Sequence, residues 1–91
     1  MPRYVFHSDP GHGWLEVRRE ELVRLGIAEQ ISRYSYERGE LVFLEQDCDA
    51  RRFIQAKREA GETFEDWEEY TGGDHWIRLQ RPYDAETAVT A

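Results

Sequence analysis

Two runs of helical periodicity, each closed by a glycine, limit what this chain can fold into more than any other feature. Ala50, Phe53, Ile54, Lys57 and Ala60 recur at helical spacing and stop at Gly61. From Arg18 to Leu25 the same period puts Leu22 and Leu25 on one face, sets Glu20 four residues before Arg24, and stops at Gly26. A glycine in that place supplies the left-handed cap, so Ile27 is expected to fold back onto the helix it follows. A further short turn is expected from Ala28 to Ile31.

The two helices separate three pairs of β-prone segments. Tyr4-Val5-Phe6 and Trp14-Leu15-Glu16-Val17 flank Ser8-Asp9-Pro10-Gly11, where a type II turn is expected with its positive φ at Gly11. Arg33 to Tyr36 and Leu41 to Glu45 flank a bulged turn over Glu37 to Glu40, with Gly39 at positive φ. Placing Tyr36 opposite Leu41 puts Tyr34, Tyr36, Leu41 and Phe43 on one side, and Ser35, Val42 and Leu44 on the other. Thr63 to Tyr70 and His75 to Gln80 read as a hairpin across a primed turn at Gly72-Gly73, which would set Trp67, Trp76 and Arg78 on one face. Phe64, Trp67 and Tyr70 also lie three apart, so a helical turn competes there. The order β-β-α-β-β-α-β-β predicts an α+β domain: a small antiparallel sheet of four to six strands with two helices on one face. Asp47 or Asp49 is expected to cap the second helix. The domain is expected to span residues 1–81, with 82–91 as a loosely held tail.

Composition narrows the function classes. Ninety-one residues with 40% hydrophobic content and twelve aromatics suffice for one core but not for a large enclosed cavity. A net charge of −7, with carboxylates bunched at Glu62, Glu65, Asp66, Glu68 and Glu69, opposes binding to a nucleic-acid backbone. Cys48 is the single cysteine, so no intramolecular disulfide can form, and a cytoplasmic setting is expected. No apolar run is long enough for a membrane span, and Met1-Pro2-Arg3-Tyr4 does not read as a leader.

The densest chemistry lies in His7-Ser8-Asp9-Pro10-Gly11-His12-Gly13-Trp14. His7, Asp9 and His12 could ligate a divalent ion, with Asp47 and Asp49 as supplements, although no recognised metal signature is present. An acid–base reading pairs His7 or His12 with Asp9, with Ser8, Tyr34, Tyr36 or Cys48 as nucleophile or proton donor. A purely structural reading has Asp9 accept backbone hydrogen bonds and Gly11 and Gly13 serve the turn and the close passage of the chain. The glycine spacing matches no phosphate-cradling motif, and no cofactor is implied. Trp67, Trp76 and Arg78, with Trp14, Tyr34, Tyr36, Asp47 and Asp49, make a second candidate set, of the composition found at protein-binding hot spots. Such a surface could also close a homodimer.

Three segments, His7 to Leu15, Tyr34-Ser35-Tyr36 with Gly39, and Leu44-Glu45-Gln46-Asp47-Cys48-Asp49 leading to Phe53, resemble a group of small uncharacterised proteins of tailed phages and other bacterial mobile elements. The resemblance covers about the first sixty residues. It implies a bacterial or phage-infected cell and an accessory role, and assigns no residue a function. The expectation is therefore a small acidic accessory protein that binds another protein, of host or phage, with a small enzyme or metal-dependent binder built on His7, Asp9 and His12 as the alternative.

Overall fold

The computed structural model describes residues 1–86. Alternation in the first two segments produces β1 (Arg3–Ser8) and β2 (Gly13–Arg18), antiparallel, with Phe6 opposite Leu15 and Ser8 opposite Gly13. Tyr4, Leu15 and Val17 point to one side and enter the main core, while His7 and Trp14 point to the other. The chain continues through α1 (Arg19–Arg24), β3 (Tyr36–Arg38), β4 (Leu41–Glu45), α2 (Asp49–Glu59), β5 (Glu65–Tyr70) and β6 (Arg81–Pro82). The strands form one six-stranded sheet in the order β5-β1-β2-β4-β3-β6. Leu22 of α1 and Ala50 and Phe53 of α2 join the same core as Leu15, Val17, Val42 and Leu44, so both helices cover the first side of the sheet. This is the α+β class expected from the sequence.

Both helices end as their glycines require. Gly26 has φ +74° and Gly61 φ +71°. Ile27 N donates to Leu22 O and Gly26 N to Val23 O; Glu62 N donates to Lys57 O and Gly61 N to Arg58 O. These are the paired bonds of a Schellman end, and Ile27 is buried against α1 as expected. No atom lies within 4 Å of a Cβ built on Gly61, so substitution there acts through the backbone alone. Gly61→Ala is expected to lower stability by about 1–2 kcal/mol in urea denaturation, with an unchanged slope.

At the start of α2 neither expected aspartate caps the helix with its side chain. Glu45 does related work from the end of β4, its Oε1 accepting from the backbone N–H groups of Asp47 and Cys48. Asp49 is buried and accepts instead from Ser32 N (3.0 Å), Ser32 Oγ (2.6 Å) and Ser35 Oγ (2.6 Å), tying α2 to the segment before β3.

The central hairpin turns more tightly than expected. Tyr36 lies opposite Phe43 and Arg38 opposite Leu41, a two-residue loop with Gly39 at φ +58°. The register differs by two from the expected one, and because side chains alternate with period two, the faces survive: Tyr36, Leu41 and Phe43 still share a side. The Pro10-Gly11 turn differs in type, since Gly11 does not take a positive φ. Gly13 earns its place by proximity: an added Cβ would overlap Phe6 and lie 2.7 Å from Gln46 Oε1.

The last expected hairpin does not form. β5 pairs with β1 in parallel, from Arg3 opposite Glu65 to Ser8 opposite Tyr70, and makes the sheet mixed where a purely antiparallel one was expected. The cause is α2. A helix of 11 residues carries the chain back about 16 Å, so the strand after it runs in the direction of β4, hence parallel to β1. Neither Gly72 nor Gly73 takes the positive φ of a primed turn. Residues 76–79 form a short 3₁₀ turn, capped by His75, whose Nδ1 accepts from Ile77 N (3.1 Å). This segment crosses the second side of the sheet and buries His75 and Ile77 while leaving Leu79 exposed.

Of the expected tail, Pro82 to Glu86 belong to the fold. Tyr83 is buried, its N–H donating to Ser35 O and its hydroxyl to Ala28 O. The remainder of that tail, 87–91, lies outside the described residues.

Candidate functional site

Asp9 organises the loop between β1 and β2. Its Oδ1 accepts from Gly11 N (3.0 Å) and His12 N (2.9 Å), closing the turn from within. Its Oδ2 accepts from His75 N (3.0 Å). Arg78 adds a two-pronged bond, Nε to Oδ2 at 2.7 Å and Nη2 to Oδ1 at 2.9 Å. These donors hold the Asp9 carboxyl well below the usual carboxylate range, the Arg78 guanidinium most of all. A carboxylate so occupied is a latch between the loop and the segment at 75–80. It is not poised as a base for either histidine.

His7 points to the second side of the sheet. Its Nε2 meets Glu16 Oε1 at 2.9 Å, and its ring touches those of His75 (5.0 Å) and Trp76 (5.7 Å). His12 goes elsewhere, over Trp14 at 5.3 Å. Among the described residues the expected set His7, Asp9 and His12 therefore does not converge on one point. His12 instead meets Glu45 and Asp47, their candidate ligand atoms all within 4.8 Å of one another. Glu45 reaches the group because it sits opposite Trp14 in the β2–β4 ladder. Nothing in its own neighbourhood marks it, and only the strand register could have found it.

A recess of about 200 Å³ beside this cluster is lined by His12, Trp14, Tyr34, Tyr36, Glu45 and Arg78. The first loop, the tyrosines and the end of β4 thus come together. Trp14 is no exposed contact residue: it is 1% exposed and packs with Phe43 and Ile77, with Arg78 above its ring at 5.1 Å. Among the described residues its Nε1 is a buried side-chain polar atom without a hydrogen-bond partner. Cys48 and Asp47 are exposed, and both line a groove between the end of α1 and the length of α2. Asp49 is buried and occupied by its serine partners, which removes it from the candidate contact surface.

Trp67 and Trp76 keep the expected common side. Trp67 pairs with Val5 in the parallel ladder and so shares its side, which is that of His7, while Trp76 packs on His7 and Phe43. They are 40% and 41% exposed. Arg3 lies over the Trp67 ring at 4.8 Å. The segment at 75–80 covers the part of this side above Trp14 and Phe43. Beyond it a groove of about 430 Å³ stays open, with Arg3, Val5, Glu16, Arg18, Leu41 and Trp67 in its lining. Comparisons with protein-family models, curated proteins and solved structures found no match.

Burial lowers the His75 imidazole below its ordinary value, and the nearby His7 lowers it further, against the opposing pull of Asp9 and Glu69. A folded state that resists protonation has its full stability above about pH 6.5, the value in the unfolded chain, and loses it as pH falls through the lower folded value. Acid also moves the proton onto the nitrogen that accepts from Ile77 N, breaking that cap. Urea midpoints are therefore expected to hold steady from pH 8 to 7 and to fall below about pH 6.5. His75→Asn, whose side-chain oxygen can still accept, should flatten this step. The loss carried by Asp9 and Glu62, whose carboxyls are held low, begins only below about pH 4.5.

Proposed function

We propose that this protein works by binding another protein through the second side of its sheet. One observation carries the reading: two tryptophans, each about two-fifths exposed, stand on the same side of the sheet, and one of them, Trp67, lines a groove of about 430 Å³ that the described residues leave open. Large aromatics and arginines concentrate binding energy in protein interfaces. Trp76 is held on a latched segment, so little ordering cost falls on it at binding. The resemblance of the first sixty residues supports an accessory role in a phage or mobile element; the partner in this reading is a host protein, and the outcome inhibition of a host system.

The test is capture from bacterial lysate with wild type and with the Trp67→Ser/Trp76→Ser variant, followed by titration calorimetry on the purified captured protein. Binding should weaken about 30-fold or more when Trp76 is replaced by Ala. Identical capture by both forms, or titration indifferent to both tryptophans, would remove this reading.

A second reading rests on His12, Glu45 and Asp47, which could hold a divalent ion. It ranks lower because Glu45 Oε1 already accepts two backbone N–H groups. Calorimetry with zinc and with manganese decides it: saturable one-to-one heat that Asp47→Asn abolishes supports the site, and its absence in wild type refutes it.

A further inference from the structure

We propose that the outer edge of β5 accepts a basic, extended segment of another protein as a seventh strand. This rests on the protein-binding reading and adds the chemistry of the partner.

Among the described residues β5 ends the sheet, and all six of its residues are exposed. Glu65 N donates to Pro2 O and Thr71 N to Ser8 O, so the odd-numbered residues turn their backbone groups toward β1. In a strand the backbone groups alternate in direction, which leaves those of Asp66, Glu68 and Tyr70 facing outward along the free edge. Three outward residues present a ladder of donors and acceptors for an added strand.

The side chains specify what can be added. Glu65, Trp67 and Glu69 stand on the second side, Asp66, Glu68 and Tyr70 on the first, so each side offers two carboxylates and one aromatic ring. An incoming strand meets acid on both faces, and alternating Lys or Arg at its cross-strand positions would complement it. The same charges reject a second copy. Antiparallel self-pairing centred on Trp67 sets Glu65 against Glu69 and Asp66 against Glu68; centred on Glu68 it sets that glutamate against its own copy. Directly opposed like charges destabilise either register. Charge on an edge strand protects it from aggregation, and here the protection is sign-selective: it repels an acidic strand and attracts a basic one.

The experiment uses the ¹⁵N-labelled full chain and two synthetic peptides, Lys-Val-Arg-Val-Lys-Val-Arg and its counterpart with Glu at every basic position. The basic peptide is expected to shift the amides of Asp66, Glu68 and Tyr70 and to slow their hydrogen exchange about tenfold or more. The acidic peptide should leave them unmoved. Asp66→Pro removes one outward donor without touching the β1 ladder and should abolish the effect. Glu65→Lys/Asp66→Lys keeps every backbone donor and should weaken binding about tenfold, which decides the matter should the proline variant not fold. Equal response to both peptides, shifts confined to other strands, full binding by the double lysine variant, or a dimer that protects these amides without peptide would each overturn the proposal. Loss of the peptide effect with Trp76-dependent partner binding intact removes this inference alone. The reverse result removes the tryptophan surface and leaves the edge.

Discussion

Asp9→Ala is expected to lower the melting temperature by roughly 10 °C or more and to free residues 75–80 from the sheet before the rest unfolds. The side chain takes with it acceptors for Gly11 N, His12 N, His75 N and the two-pronged Arg78 bond. It leaves two loop amides and the His75 amide short of partners, an outcome worse than never having built the site. Arg78→Met should cost less, because Asp9 keeps its three backbone donors and the arginine is about one-third exposed. The readouts are circular dichroism melting and hydrogen exchange at Ile77, Arg78 and Gln80, whose N–H groups donate within the 3₁₀ turn and its end. If the alanine variant melts with wild type, Asp9 is not the latch described above. If it melts early but keeps Trp76-dependent partner binding, the latch serves stability and not presentation of the tryptophan.

Glu37→Leu is expected to cost about 3–5 kcal/mol, among the largest effects of any single substitution in the chain. Arg19 and Glu37 meet at 3.2 Å with side chains 4% and 2% exposed. Glu37 Oε1 also accepts from Asp84 N, so the same side chain holds the segment after β6. The leucine variant retains the Arg19 bonds to Gly39 O but strands the guanidinium without its counter-ion. Because an apolar pair avoids that penalty, Arg19→Met/Glu37→Leu should recover a large part of the loss. Urea denaturation of the two single variants and the double variant closes the cycle; simple additivity of the single losses would show that the pair does not act as a unit.

Much of this was legible from local pattern. Leu22-to-Gly26 and Phe53-to-Gly61 announced their helices and ends because the apolar period and the positive-φ cap are both short-range requirements. The sharing of one side by Tyr36, Leu41 and Phe43 survived a register error, since a slip of two leaves every side chain on its side. The direction of β5 was not legible. Its alternation is poor because both of its faces are solvated, and its parallel pairing follows from where α2 delivers the chain. His75 to Gln80 suffered similarly: Ile77 alone enters the core, so a strand and a single helical turn have nearly the same apolar signature. Tyr83 reads as tail because its partners, Ser35 and Ala28, lie far away in sequence.

The loop from His7 to Trp14 divides along the same line. Residue types and local spacing already set its nature as a Pro-Gly turn with an aspartate able to satisfy nearby amides, because those bonds join residues two and three apart. Its partners were decided by tertiary structure alone. Which histidine meets which carboxylate depends on side parity in the sheet and on strand register: His7 is sent to Glu16 and His75, His12 to Glu45 and Asp47, and Asp9 to an arginine 69 residues away. Short-range chemistry can be read from neighbours in the chain. Convergence of distant side chains is set by packing, and no local pattern in the sequence encodes it.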